Sequence, residues 1–304
     1  MTVMAIFHDV DKCMRCNGCV VACKREWNLR ADTIGVHNVS ADQRMTIKSQ
    51  KRVDMGPFVR FSCWHCKDAP CARACPVKDE NGKRALTWNP KTGAVAVDPK
   101  ICNPADCIDD YDQYPCQVNC QRGGYPRIGK PYVGSDLVNM NKCILCAGRA
   151  GADEDLDKSL PPLQTRQVAV SGKFYSPLYP DIEVPGLAHE PACVSTCPAK
   201  AMKWDTRDNI VRYLSDRANG YWFADGTLNV IGGDSVMWAS RKTLLAPPKA
   251  DPFIEDHVAP MISGMLTGSL AKAAILPTLV VGGLMAISSR RAKNEVNAVT
   301  GGEV

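Results

Sequence analysis

Cys13-Met-Arg-Cys16-Asn-Gly-Cys19-Val-Val-Ala-Cys23 packs four thiols into eleven residues. The x2, x2, x3 spacing decides how the chain is read. A cubane iron–sulfur cluster presents four irons at tetrahedral corners, and each needs one thiolate. Cysteines at x2 spacing wrap one loop around such a cluster, while a cysteine three residues beyond, opening a helix, points toward a neighbouring one. Three further sets follow. Cys63-x2-Cys66-x4-Cys71-x3-Cys75 runs into Pro76, and Cys102-x4-Cys107-x8-Cys116-x3-Cys120 is looser. The last set is split: Cys143-x2-Cys146, 46 residues, then Cys193-x3-Cys197 and Pro198. The 16 cysteines divide into four sets of four with none left over.

At about 5% of 304 residues, cysteine is too frequent for incidental buried thiols. It is below the roughly 8–10% of a short disulfide scaffold. Residues 1–10 show no basic region followed by an apolar stretch, so no cleavable secretory signal is visible. Disulfides would need an oxidising route, and cysteines at x2 and x3 spacing pair poorly with each other. Structural zinc is the more credible rival, because Cys-x2-Cys knuckles suit it. Zinc sites, however, want two knuckles separated by a longer loop. Composition is that of a globular protein, with 45% hydrophobic and 23% charged residues, which rules out wholesale disorder. A net charge of +5 spread over 37 basic and 32 acidic residues predicts no nucleic-acid partner.

Four stretches carry a resemblance to a known family. They are Lys12-Cys13 through Trp27, Phe61-Ser-Cys-Trp-His-Cys through Cys75-Pro76, Asn141-Lys-Cys-Ile-Leu-Cys, and Pro191-Ala-Cys-Val-Ser-Thr-Cys-Pro198. The chain resembles the four-cluster ferredoxin-like electron-transfer subunits of molybdopterin and nickel–iron respiratory enzymes, typified by the beta subunit of membrane-bound formate dehydrogenase. The likeness spans residues 6–205. A weaker match covers residues 220–240, with Gly232-Gly233 and Val236-Met237-Trp238.

The resemblance implies an α+β fold of two ferredoxin-like halves, each carrying two iron–sulfur clusters, with irregular insertions. It implies four 4Fe–4S clusters. One would be held by Cys13, Cys16, Cys19 and Cys197, and its neighbour by Cys143, Cys146, Cys193 and Cys23. A third would use Cys63, Cys66, Cys71 and Cys120, and the fourth Cys102, Cys107, Cys116 and Cys75. The implied partners are a molybdopterin-containing catalytic subunit and a membrane cytochrome b or quinone-reactive subunit. Formate dehydrogenase is the favoured complex, with nickel–iron hydrogenase and sulfur-compound reductases as alternatives and a zinc-stabilised membrane-anchored scaffold as the rival of another class. The third set departs from the compact family pattern: residues 108–115 intervene and Gln121, not proline, follows Cys120. Its loop is therefore enlarged, and a cluster other than 4Fe–4S is the alternative there.

Between the sets, Ala85-Leu-Thr-Trp and Ala94-Val-Ala-Val-Asp98 flank a Pro-Lys-Thr-Gly turn and predict a hairpin leading to Cys102. Short helices are expected near Cys19, Cys71 and Val194. Residues 31–57 and 151–190 read as irregular surface segments. Lys12 and Lys142 each precede the first cysteine of a set, and Lys100 lies two residues before Cys102, so a cation is expected near several clusters. His65 and Trp64, inside the second loop, are placed to shield a cluster or donate a hydrogen bond to it. Catalytic signatures are missing. No phosphate-binding glycine loop occurs, and the five histidines (His8, His37, His65, His189, His257) match no protease or triad spacing. Asp109-Asp110 reads as surface charge. The expected role is moving electrons, with bond-making left to partners.

The cysteine-rich domain is read as residues 1–245 and the tail as 246–304. Residues 273–289 carry no charge and make a helix of about 25 Å, slightly short of a hydrocarbon core. Extension back to Ile262 crosses only Lys272, so a single transmembrane helix over about 262–289 is expected, with Pro277 as a kink. Arg290, Arg291 and Lys293 follow it, which by the positive-inside rule leaves the C-terminus cytoplasmic and the cluster domain on the outer, periplasmic face of the membrane. Family members reach that face bound to a catalytic subunit with a twin-arginine signal. An inverted anchor with cytoplasmic clusters, or a helix buried against another subunit, are the alternatives. Alkaline carbonate treatment of membranes carrying the complex is expected to leave the chain in the pellet. Release into the supernatant would rule out a spanning tail.

Overall fold

Met4–Asp9 is buried at all six positions and forms β1, the inner strand around which the largest sheet is built. A computed structural model describes residues 3–31, 39–49, 56–90, 92–108, 113–120, 125–147, 172–185, 189–232, 234–242 and 245. Strand side chains alternate between faces. Met4 and Ile6 therefore enter the main core with the cysteines, while Ala5 and Phe7 enter a smaller one on the opposite face. A strand covered on both sides reads as one apolar run, which is why Met-Ala-Ile-Phe shows no alternation.

After β1 come α1 (Gly18–Glu26), β2 (Met45–Ser49), β3 (Phe58–Ser62), α2 (Pro70–Ala74), β4 (Leu86–Trp88) and β5 (Val95–Val97). They are followed by α3 (Pro115–Val118), β6 (Arg127–Gly129), β7 (Asn139–Asn141) and α4 (Ala192–Ser195). The described elements end with β8 (Met202–Thr206), α5 (Arg207–Ser215), β9 (Val230–Gly232) and β10 (Val236–Ala239). The large sheet has the order β8-β1-β10-β9. β1 runs antiparallel to β8 and parallel to β10. Three antiparallel pairs complete the strands: β2-β3, β4-β5 and β6-β7.

The expected hairpin is present, with Leu86 opposite Val97 and Trp88 opposite Val95. Helices begin close to Cys19, Cys71 and Val194. The segment 31–57 is not wholly irregular, because Met45, Thr46 and Ile47 are buried in β2 against β3. Residues 220–240, weakly marked in the sequence, supply two strands of the large sheet. The mixture of short helices and small sheets is consistent with a ferredoxin-like protein. The tail, Asp109-Asp110, His37, His257 and residues 151–171 and 186–188 of the expected surface insertion lie outside the described residues. Among those described, no helix is long and apolar enough to cross a membrane.

α5 closes the face of β1 away from the cysteines. Thr206 caps it, its hydroxyl accepting the Asn209 N–H at 3.1 Å, and Ile210 and Leu214, one turn apart, pack with Ala5 and Phe7. Buried Asp205 ties in a further segment. It accepts hydrogen bonds from the Ser176 hydroxyl, from Asn209 Nδ2 at 2.9 Å and from the Thr206 N–H at 2.7 Å.

At the other edge, Gly232 holds φ at 108°, and a Cβ there would lie 2.2 Å from the Val236 carbonyl oxygen. Both the conformation and the backbone contact demand glycine. Gly232→Ala is expected to cost about 1–3 kcal/mol, read as a melting temperature lowered by several degrees. An unchanged melting curve would contradict this turn into β10.

Candidate metal centres

Three of the four sets open with a Cys-x2-Cys loop, and the three loops bend alike. Arg15, His65 and Leu145, each two residues after the leading cysteine, have φ of 55°, 54° and 52°. A left-handed residue in such a loop turns successive N–H groups to one side and makes a concavity for negative charge. The leading sulfur sits in it. The His65 N–H donates to Cys63 Sγ at 3.4 Å, and the Arg15 and Leu145 N–H groups donate to Cys13 and Cys143. None of the three is glycine or asparagine, so each conformation costs on the order of 1–3 kcal/mol that the surroundings must offset. The third set has no x2 loop to supply this donor. Cys102 Sγ instead receives the Met140 N–H from β7 at 3.4 Å.

The sulfurs gather around separate voids. Cys13, Cys16, Cys19 and Cys197 line one cavity together with His8, Ile47 and Met202. Cys23, Cys143, Cys146 and Cys193 line a second, with Trp27, Arg44 and Arg60. Cys75, Cys102, Cys107 and Cys116 line a third, with Leu86, Val97 and Met140. Cys63, Cys71 and Cys120 lie close enough for their charges to oppose one another, and Cys66 belongs to the loop joining Cys63 to Cys71. Among the described residues, no three His, Cys, Asp or Glu side chains converge tightly enough to hold a single metal ion.

Helix geometry explains why one run serves two cavities. Cys19 and Cys23 are four residues apart on α1, which is about 6 Å along the axis on one face. One side chain enters the first cavity and the other the second. α4 lies against α1 and its segment does the reverse, with Cys193 in the helix entering the second cavity and Cys197, two residues past its end, the first. α2 and α3 repeat the arrangement, Cys75 leaving its own run to join Cys102, Cys107 and Cys116.

Burial makes a bare thiolate costly here. It pushes the thiols of Cys19, Cys23 and Cys116 well up, and those of Cys63 and Cys146 to about 12. Cys102 is raised to about 11 by the same cause. Cys143 goes the other way. Burial would raise it, but the Arg60 charge, the Leu145 N–H, the Arg60 hydrogen bond and the Lys142 charge together hold it below the ordinary thiol value.

Arg60, which the sequence reading missed, is 1% exposed in the middle of β3. Its Nη2 donates to Cys143 Sγ at 3.3 Å, and its Nη1 to the Ser62 hydroxyl. Burial works against its charge, yet the sulfurs of Cys143, Cys193 and Cys19 hold its proton more firmly than usual. The signal was a lone arginine in Phe58-Val-Arg-Phe-Ser62, an otherwise apolar strand entering Cys63. Lys142 is equally buried; its Nζ donates to the carbonyls of Val95 and, at 3.0 Å, Cys143. Burial raises the thiols of Cys63 and Cys71, and the Lys142 charge opposes that rise. Arg60 thus stands between the Cys13–Cys197 and Cys143–Cys193 cavities, and Lys142 between the Cys143–Cys193 cavity and the Cys63 run.

The other sequence candidates fare differently. His65 is buried, its Nδ1 accepting the Val95 N–H at 2.9 Å. Burial first, then Lys142 and Arg60, hold it well below the ordinary imidazole value. Buried Trp64 donates from Nε1 to Tyr125 Oη at 3.2 Å. Lys12 turns to the surface, 48% exposed and paired with Asp9 at 3.7 Å, because β1 ends in a carboxylate beside it. Lys100 is exposed.

No protein-family profile matches the chain. Individual relatives do. The chain is 28% identical over 209 residues to the formate dehydrogenase iron-sulfur subunit of Wolinella succinogenes, covering 69% of this chain and 84% of that protein. It is 26% identical over 214 residues to the thiosulfate reductase electron transfer subunit of Salmonella typhi, with coverages of 70% and 81%. The nitrate-inducible formate dehydrogenase iron-sulfur subunit of Escherichia coli aligns over 301 residues at 25% identity, covering 90% of this chain and 78% of its own length. The chain therefore resembles the iron–sulfur subunits of formate dehydrogenases.

Arg60→Met keeps the aliphatic stem and removes the cation. Purified without oxygen and challenged with a chelator, the variant is expected to retain several-fold less iron than the wild type. Equal retention would mean that the buried charge does not support the sulfurs.

Proposed function

We propose that the chain is the electron-transfer subunit of a multi-subunit oxidoreductase, folded as two ferredoxin-like halves that hold four 4Fe–4S clusters on sixteen cysteines. One observation carries the reading. Successive cysteine sets are joined by a shared helix or a shared buried cation, so four centres lie in sequence rather than scattered. The donor chemistry fits, because each cavity offers four thiols within a mostly apolar lining. When bound, the clusters supply one-electron storage at potentials set by charge, hydrogen bonds and exposure.

The protein's own contribution is positioning and electrostatics. Cys13, Cys16, Cys19 and Cys197 are the ligands of the first centre, and Cys23, Cys143, Cys146 and Cys193 those of the second. Cys63, Cys66, Cys71 and Cys120 hold the third, and Cys75, Cys102, Cys107 and Cys116 the fourth. Arg60 and Lys142 offset the negative charge of the inner centres, and the apolar lining keeps water out. All four cysteines of the second centre, Cys23, Cys143, Cys146 and Cys193, are buried, whereas Cys16 is exposed and Cys107 partly so. The two ends of the series are therefore its openings to partners.

Those partners are a molybdopterin-containing catalytic subunit and a membrane cytochrome b or quinone-reactive subunit, with formate dehydrogenase the favoured complex. The names carried by the relatives support a multi-subunit oxidoreductase with formate dehydrogenase favoured. Residues 262–289 anchor the chain in the bilayer, with the cluster domain on the periplasmic face. A second reading, a sulfur-compound reductase, draws on the thiosulfate reductase subunit, which aligns over nearly the same share of the chain.

Metal and sulfide analysis of the complex purified without oxygen tests the relay. About sixteen irons with matching sulfide per chain are expected. Stoichiometric zinc without sulfide would replace the relay with a zinc-stabilised scaffold. In the reduced state, EPR signals broadened by coupling between neighbouring clusters are expected, and their absence would contradict adjacency. The co-purifying large subunit distinguishes formate dehydrogenase from a sulfur-compound reductase.

A further inference from the structure

His8 belongs to none of the roles above, yet it lies in β1 among the best-buried side chains, 1% exposed. Its place follows from strand parity. Met4, Ile6 and His8 share the face of β1 that meets the cysteine core, and the His8 side chain lines the cavity of Cys13, Cys16, Cys19 and Cys197.

The hydrogen-bond pattern decides the tautomer. The Arg60 backbone N–H donates to His8 Nδ1 at 3.2 Å, so Nδ1 is the acceptor and the ring proton resides on Nε2. That Nε2 is buried and meets no hydrogen-bond partner among the described residues. A buried donor without an acceptor is rare in folded proteins and asks for an explanation. The cavity beside it is where sulfur is gathered. Burial and the nearby Arg60 charge keep the ring neutral, in agreement with a single N–H on Nε2.

We propose that His8 donates its Nε2–H to a sulfur of the cluster held by Cys13, Cys16, Cys19 and Cys197, and thereby raises the potential of that centre. The assignment rests on the relay reading. An N–H donor on sulfur favours the more negative, reduced state, so losing it makes the centre harder to reduce. The same residue links two centres: the Arg60 main chain orients His8 toward the first, while its guanidinium reaches Cys143 of the second.

The test uses the full chain in its purified complex. In wild-type protein with histidine 15N-labelled in the imidazole ring only, so that the His65 backbone N–H on Cys63 stays silent, pulsed EPR of the reduced state is expected to show a cluster coupled to histidine ring nitrogen. His8→Asn keeps an acceptor near the Arg60 N–H but does not reach the cavity, whereas His8→Gln places an amide N–H close to the Nε2 position. His8→Asn is expected to abolish the coupling and to lower the reduced-to-oxidised ratio of that one cluster about tenfold at fixed potential, or about 59 mV for one electron. His8→Gln is expected to lie nearer the wild type. Wild-type protein with full iron but no histidine coupling overturns the proposal, as does His8→Asn with full iron and an unshifted cluster. Should His8→Asn fail to assemble, the wild-type spectrum decides alone. Absence of iron and sulfide from the wild type would instead overturn the relay itself.

Discussion

Sulfur anions gathered inside an apolar core are the constraint to which the rest of the molecule answers. Burial drives the isolated thiols toward protonation, and a protonated thiol is a poor metal ligand. Three devices oppose that drive. Left-handed residues at Arg15, His65 and Leu145 turn backbone N–H groups toward the leading sulfurs. Arg60 and Lys142 bring full positive charge into the interior. The third set, lacking the short loop, takes its donor from β7. Dependence runs both ways. A fully buried guanidinium is unfavourable without anions to face, so the cations need the sulfurs as much as the sulfurs need them. In proteins whose ligands are brought together only by folding, metal affinity is also folding free energy.

The large sheet converts this local chemistry into a lasting arrangement. β1 has one face on the sulfur core and the other on α5, and it is paired on both edges, by β8 and β10. Buried Asp9 at its end accepts from Arg241 Nη1 at 3.0 Å, which ties the segment after β10 back to the start of the chain. Two helix pairs, α1 with α4 and α2 with α3, each exchange a cysteine across their contact. In α1, where Cys19 and Cys23 both lie within the helix, the i, i+4 repeat thereby becomes the spacing between neighbouring centres.

Much of this was legible in the residues, for physical reasons that differ from feature to feature. The cysteine runs announce themselves because loop and helix spacing are local properties. The Leu86–Trp88 and Val95–Val97 hairpin is local in the same way. Strands β9 and β10 were not, because a Gly-Gly flanked by mixed residues becomes strand only when β1 and Trp64 are there to pack against it: Trp64 meets Trp238 edge-on at 5.4 Å. Lys142 and Lys12 looked alike in sequence, each preceding a leading cysteine. Asp9 draws one to the surface, while the Val95 and Cys143 carbonyls hold the other inside. Arg60 and His8 lie just before cysteine runs, but the sulfurs and N–H they meet belong to other segments of the chain, a placement that no short motif encodes.

The exchange of cysteines also imposes an order of completion. Residues 63–120 contain every thiol of two sets, so the inner pair can close once that stretch has been made. The outer pair encloses it like brackets. Cys13, Cys16 and Cys19 are synthesised first but wait for Cys197, and β1 waits for β8 and then β10, nearly the whole described chain away. Chains emerge N-terminus first, so the oldest part of the polypeptide is the last to be finished. An interruption anywhere between residues 120 and 197 leaves one half closed and the other open, with its earliest thiols exposed.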